Sequence, residues 1–315
     1  MNEPDHHAQK AQAHWDAWQR DYDVRSQQKG VVHYTDWAGH PLIWNKLCEA
    51  AFGSASTDVF DYIFQHYPEL ANAHGLSLCC GDGSFERDLL RRGLIHKLCG
   101  LDLSAVRIAA AKAALCHDLP SVNERCHFVQ ADLNRVPFAA GKFDLVLAKS
   151  ALHHLEALEA VFEHLADLLR PRGLFVALDF FGPSRFQWTD HQLALANAFW
   201  DKEAPAECRF NKDGALDAPI SRPSLDAMIA MDPSEAIRSG ELLAVMNAHF
   251  CIEQYIPMGG TLLNLIFWGD RINRFSPAQA THASFIAKAF DYEHALLVNG
   301  IIPSDFALVV ARPIA

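Results

Sequence analysis

The order of apolar and polar positions divides the chain into three stretches. Residues 1–70 carry helical spacing: a polar stretch with Trp15 and Trp18, then 41–52 with apolar residues three and four apart, then 58–67. An aromatic-rich loop, 31–37, joins the first two. From residue 76 short apolar runs alternate with longer amphipathic ones. The runs at 76–80, 98–101, 126–130, 143–148 and 173–180 predict strands, and 84–92, 104–117 and 155–169 predict the helices between them. Strands separated by helices indicate a parallel sheet with crossover connections. After Gly182 and Pro183 the alternation stops, and Pro205, Pro219, Pro223 and Pro233 predict only short helices. It resumes with a helix at 241–248, a strand at 250–256, a helix at 277–298 and a last strand at 306–311. The expected organisation is an N-terminal helical region, 1–70, an α/β domain made of 71–182 and 240–315, and a helical, substrate-covering insertion at 183–239.

Composition narrows the class. Half of the 315 residues are hydrophobic, enough for one large core with a smaller region beside it. The formal charge is −11, with 38 acidic residues against 27 Lys and Arg, so the average field repels a polyanion and nucleic acid is not an expected partner. No apolar run reaches the roughly 18–20 residues that a membrane helix needs. Eight cysteines without a C-x-x-C pair, and a polar N-terminus, predict reduced thiols in a soluble cytoplasmic protein.

Two glycines, Gly81 and Gly83, lie between a predicted strand and a predicted helix, where backbone passes close to a ligand with no Cβ in the way. The next strand ends at Asp102, placed to take both hydroxyls of a ribose. The strand after that ends at Asp132, a suitable acceptor for the amine of adenine. Asp82 sits inside the loop that would hold a diphosphate in a nicotinamide dehydrogenase, and two anions there would repel. S-adenosylmethionine carries an ammonium, a carboxylate and a sulfonium but no phosphate, and suits an acidic loop.

These segments together resemble class I S-adenosylmethionine-dependent methyltransferases: CCGDG at 79–83, GLDLS at 100–104, ADLN at 131–134, FDLVLAKSALHHL at 143–155 and LLRPRGLFVALDF at 168–180. The resemblance implies a Rossmann-like sheet, mostly parallel with an antiparallel last strand. It implies that Cys80, Gly81, Asp82 and Gly83 line the methionine end of the cofactor, Asp102 and Leu103 the ribose, Asp132 and Leu133 the adenine, and Lys149 the edge of strand 4. Ser77 stands where the family usually has an acid, and Cys79 where it has a first glycine. GPSRFQWTD at 182–190, DPSEAIRS at 232–239 and Gly259-Gly260 are similar to a bacterial subset associated with saccharide and natural-product pathways, in which Glu is expected at the place of Asp179.

Methyl transfer needs an aligned nucleophile, and a base where that nucleophile holds a proton. His153 and His154 follow strand 4 at the ligand-binding edge of the sheet, and either is a candidate base, His153 slightly the better. Asp179, at the end of strand 5, is placed to orient a histidine or hold a substrate hydroxyl. Phe181, Arg185 and Trp188 are candidate acceptor contacts, and Tyr34, with Trp37 and His40, a candidate lid. No local Cys or His spacing predicts a metal. The leading reading is methylation of a small-molecule hydroxyl, on a saccharide or natural product, with a histidine base. Two others stay open. One is C-methylation of an isoprenoid or other alkene through a carbocation in an aromatic pocket; for a prenyl diphosphate Arg185, Arg209, Arg222 and Arg238 would face the anion, with Mg²⁺. The other is a regulatory protein that binds S-adenosylmethionine without chemistry.

Overall fold

The computed structural model describes residues 3–26 and 33–314, so residues 31 and 32 of the expected aromatic loop lie outside it. Three helices come first: α1 (Glu3–Ser26), α2 (Pro41–Phe52) and α3 (Val59–His66). The alternating region follows as β1 (His74–Leu78), α4 (Ser84–Arg91), β2 (Lys97–Asp102), α5 (Ala105–Asp118), β3 (Cys126–Gln130), β4 (Phe143–Lys149), α6 (Leu158–Leu168) and β5 (Leu169–Phe180). Then come α7 (Asp190–Glu203), α8 (Leu225–Met231), α9 (Leu242–His249), β6 (Phe250–Pro257), α10 (Leu262–Ile266), α11 (Ala280–Val298) and β7 (Phe306–Pro313).

The seven strands form one sheet in the order β3-β2-β1-β4-β5-β7-β6. Strands β1 to β5 run parallel, and β7 lies antiparallel between β5 and β6. This is the mostly parallel Rossmann-like sheet with an antiparallel last strand that the sequence implied. Successive residues of β4 serve opposite faces: Leu145 and Leu147 join one core cluster, Val146 and Ala148 the other. Burial on both faces is why this strand reads as an unbroken apolar run.

The strand order reverses between β1 and β4, and open α/β sheets bind ligands in the crevice at such a point. The 183–239 segment is less broken than Pro205, Pro219, Pro223 and Pro233 suggested. Helix α7 runs 14 residues, started by a capping box in which the Thr189 side chain accepts from Gln192 N–H and the Gln192 side chain accepts from Thr189 N–H. Of these four prolines, the first, Pro205, falls just beyond the helix end.

Candidate functional site

A cavity of about 580 Å³ opens at the carboxyl ends of β1, β2 and β4. Of the loop after β1, Cys79 lines it, while Gly81, Asp82 and Gly83 lie behind that lining. Gly81 (φ 58°) and Gly83 (φ 70°) both take left-handed backbone. A Cβ on Gly81 would stand 2.6 Å from the Arg107 guanidinium, and one on Gly83 would stand 2.5 Å from the Phe128 ring. Cys79, in the first-glycine position, also has a positive φ of 50°, and it lines the cavity. Asp82 turns its carboxylate to the Ser84 N–H at the start of α4, 3.1 Å away. The acid thus takes a helix N-terminal donor that a dinucleotide fold would leave for phosphate.

Asp102 is buried on the cavity wall, its Oδ2 accepting from Gly81 N–H (2.9 Å) and its Oδ1 from Ser104 N–H (2.8 Å). Burial raises its carboxyl above the ordinary range, against the pull of Arg107 and the two N–H donors. Leu103, Asp132 and Leu133 line the same wall. Asp132 Oδ1 accepts from Asn134 N–H (3.0 Å), while the Asn134 side chain accepts from the N–H groups of Glu156 and Ala157 and ties the end of β3 to the loop after β4.

Helix α1 closes the cavity from outside, a role the sequence had suggested for the region of Tyr34. Its Ala8, Ala11 and Trp15 line the space, and the Arg107 guanidinium lies over Trp15 and Trp18 at 4.9 and 5.0 Å. Asp16 accepts a hydrogen bond from the Ser104 hydroxyl. Tyr34, by contrast, is fastened to Asn273 by its backbone N–H and C=O, with its ring against His40. Trp37 packs edge-on to Phe306.

Other expected contacts also fall elsewhere. Lys149 lines a separate cavity of about 250 Å³ with Trp44, Asp58 and Arg92, and its ammonium lies over the Phe85 ring. Lys149 shares the face of β4 that carries Leu145 and Leu147, and it is Ser150, just beyond the strand with a φ of 50°, that lines the large cavity. Cys80 turns its sulfur toward Gly100 on β2, 2.9 Å from where a Cβ would sit. Trp188 is 1% exposed, stacked on Phe186 and donating its indole N–H to Asp305, which places it in the core. Phe181 is half-buried, its N–H on the Asp305 carbonyl. Arg185 donates to the Glu235 carbonyl, Arg209 to three carbonyls, Arg222 to Asp190, and Arg238 to Glu159 and Glu241. The arginines that line the large cavity are Arg107 and Arg135.

The histidines and Asp179 do come together. Asp179, fully buried at the end of β5, accepts four hydrogen bonds: from the N–H groups of Ala151 (2.8 Å), Leu152 (2.8 Å) and Phe180 (2.8 Å), and from His153 Nδ1 (2.6 Å). A carboxylate so occupied orients the histidine and has little left for a substrate hydroxyl. Burial alone would lower the His153 pKa, but the carboxylates of Asp179, Glu235 and Asp232 carry it up to about 9. His154 lines the cavity, its Nδ1 3.2 Å from the Ser234 hydroxyl, and burial beside His153 and Arg107 holds it well below the usual imidazole value.

Sequence reasoning missed Glu235, whose Oε1 is 3.5 Å from His153 Nε2, and Asp232 and Ser234 beside it. All three belong to the DPSEAIRS segment already singled out by resemblance. Its backbone is stitched to the site, with Ile237 N–H on the His153 carbonyl, Arg185 N–H on the Ala236 carbonyl and the Ser239 hydroxyl on the Gly182 carbonyl.

Comparison with known proteins agrees with this geometry. Residues 76–177 match the family described as "Methyltransferase domain". The chain is 29% identical to a malonyl-acyl-carrier-protein O-methyltransferase of Enterobacter lignolyticus over 64% of its own length and 83% of that protein's. It is 29% identical to the enzyme of the same name from Legionella pneumophila over 45% of its length, a match that spans half of that relative. Its fold follows the geranyl diphosphate C-methyltransferase of Streptomyces coelicolor, solved with Mg²⁺, geranyl diphosphate and S-adenosyl-L-homocysteine, over 98% of both chains with a TM-score of 0.52 and 13% identity. Residues 76–177 therefore carry a methyltransferase domain, and the sheet around it has the Rossmann-like fold of class I S-adenosylmethionine-dependent methyltransferases. S-adenosylmethionine is the cofactor of such a domain. No helix among the described residues is long and apolar enough to cross a membrane.

Proposed function

We propose that the chain methylates a hydroxyl oxygen of a small polar molecule such as a saccharide or other natural product, with His153 as the base and Asp179 as the group that orients it. The carrying observation is the 2.6 Å bond from His153 Nδ1 to a carboxylate pinned by three backbone N–H groups. Asp179 accepts through every donor, so Nδ1 carries the proton and Nε2 is left free to take one from the acceptor.

The glycine cradle, Asp102 and Leu103, and Asp132 and Leu133 fit the cofactor's methionine, ribose and adenine parts, and Arg107 is the cation in the cavity suited to its carboxylate. The cofactor supplies a methyl group already activated on sulfur. What remains for the protein is to align the acceptor, exclude water under α1 and remove one proton. The rest of the lining favours a hydroxylated acceptor over an alkene. It is rich in polar groups, among them Ser150, Ser234, Asn134 and Glu156, while Phe186 and Trp188 are spent in the core.

The test is the pH dependence of kcat/KM with a panel of hydroxylated acceptors. With His153 lifted to about 9, activity is expected to climb with pH toward that value, because the base works only when deprotonated. Asp179→Asn is expected to move the rising limb to lower pH and to cut kcat by about 10²- to 10⁴-fold. A limb that survives His153→Ala and disappears in His154→Ala would reverse the two roles and overturn this assignment.

A further inference from the structure

The acceptor end of the cavity holds more ligating groups than proton transfer uses. One ligating atom from each of His153, His154 and Glu235 falls within 4.8 Å of the other two. Each imidazole is held through Nδ1, His153 by Asp179 and His154 near the Ser234 hydroxyl. Histidines that bind metals are commonly fixed in this way by an outer hydrogen bond, which aims Nε2 at the ion. His153 Nε2 then faces Glu235 Oε1 across 3.5 Å. When His153 is deprotonated, its Nε2 lone pair and the Glu235 oxygen face one another, an arrangement that a cation bound between them would relieve.

A second observation points the same way. Asp232 is 2% exposed, and its Oδ2 has no hydrogen-bond partner although it lies 3.8 Å from both His154 Nδ1 and His14 Nε2. Three carboxylates, Asp179, Asp232 and Glu235, thus crowd two adjacent imidazoles at the edge of the cavity. Arg185 donates a hydrogen bond to the Glu235 carbonyl and, with its charge, partly offsets this cluster.

We propose that His153, His154 and Glu235 form a site for a divalent transition-metal ion of the zinc class, with Asp179 and Ser234 as its outer hydrogen-bonding shell. Tetrahedral zinc with bonds of about 2.0–2.1 Å separates its ligand atoms by roughly 3.4 Å. The 3.5 Å from His153 to Glu235 is close to this, and a separation as wide as 4.8 Å would have to close by about 1.4 Å on binding. Two imidazoles and one carboxylate suit zinc, cobalt or iron, whereas magnesium takes oxygen ligands and keeps its waters. His154 and Ser234 line the cavity, so an open coordination position would face the acceptor. The ligands come from two loops more than eighty positions apart, which is why no local spacing announced them.

The site shares His153 with the proposed proton transfer, so the two uses exclude one another. An ion there takes the Nε2 lone pair that the base needs, so rates are to be measured on metal-stripped protein and binding with no acceptor present. The test titrates metal-stripped protein with Co²⁺ in a His7→Ala background, which removes the N-terminal imidazole that lines the cavity. The expected result is one ion per chain with visible ligand-field bands and a dissociation constant of about 1 µM or tighter. Glu235→Gln and His154→Ala are each expected to weaken binding by at least tenfold, and Asp179→Asn by about 10- to 100-fold, with circular dichroism unchanged. Absence of saturable binding up to about 100 µM overturns the proposal, as does binding that Glu235→Gln and His154→Ala leave unaltered.

Discussion

At Gly83 a single hydrogen atom keeps the glycine loop in place. Its φ of 70° and the Phe128 ring 2.5 Å from any Cβ act together. Gly83→Ala is expected to cost about 2–4 kcal/mol in urea unfolding, the sum of left-handed strain and overpacking. Gly53→Ala, at φ 75° with nothing within 4 Å, carries only the first part and should lose about 1–2 kcal/mol. Residues of this kind were legible because the chemistry sits at strand ends: Asp102, Asp132 and Asp179 each follow an apolar run. Lys149 was misplaced because it falls on the face of β4 that carries Leu145 and Leu147. Arg107, Glu235 and Asp232 were invisible because each acquires its surroundings from a distant segment. The two departures from the family pattern are resolved locally. Cys79 adopts the glycine-like backbone itself, and Ser77 donates at 2.6 Å to Glu86, which brings a buried carboxyl next to the place of the missing acid.

Among the elements, α1 carries the clearest functional consequence. It covers the large cavity through Trp15 and Trp18 on Arg107 and through Asp16 on Ser104. Replacing both tryptophans by Ala is expected to remove about 1–2 kcal/mol of cofactor binding, roughly 5- to 30-fold in the dissociation constant measured by calorimetry, while the melting transition of the sheet stays in place. The strands were legible to within a few residues, since two-sided burial writes a continuous apolar run, and β5 differs most by beginning at Leu169 rather than at 173. Helix α1 was legible as a helix but not as a cover. Its polar face gives no sign of the arginine it meets.

Over the whole molecule, burial has lifted three carboxyls to about 7: Glu86, Glu235 and Asp305. In each, the folded chain holds the proton more tightly than the unfolded one, so the stability they contribute is full below the ordinary carboxyl range and is lost as pH rises through about 7. Buried histidines oppose this at the acid end, because His40, His74, His154 and His164 are all lowered and resist protonation as pH falls below the usual imidazole value. The melting temperature is therefore expected to peak at mildly acidic pH and to decline toward pH 8. Glu86→Gln, which keeps an acceptor for Ser77, should flatten the alkaline decline and restore on the order of 1–3 kcal/mol at pH 8. None of this was legible in the sequence, where Glu86 and Asp305 look like surface acids. A last consequence concerns how such an enzyme changes its acceptor over evolutionary time. The 232–239 segment lies in the 183–239 stretch, yet its Ile237 N–H holds the backbone of His153, the proposed base. Selection for a new acceptor that reshapes that stretch therefore also tugs on the base. Lineages that diversify are expected to vary α7 and α8 freely while keeping the path of this one stretch of backbone.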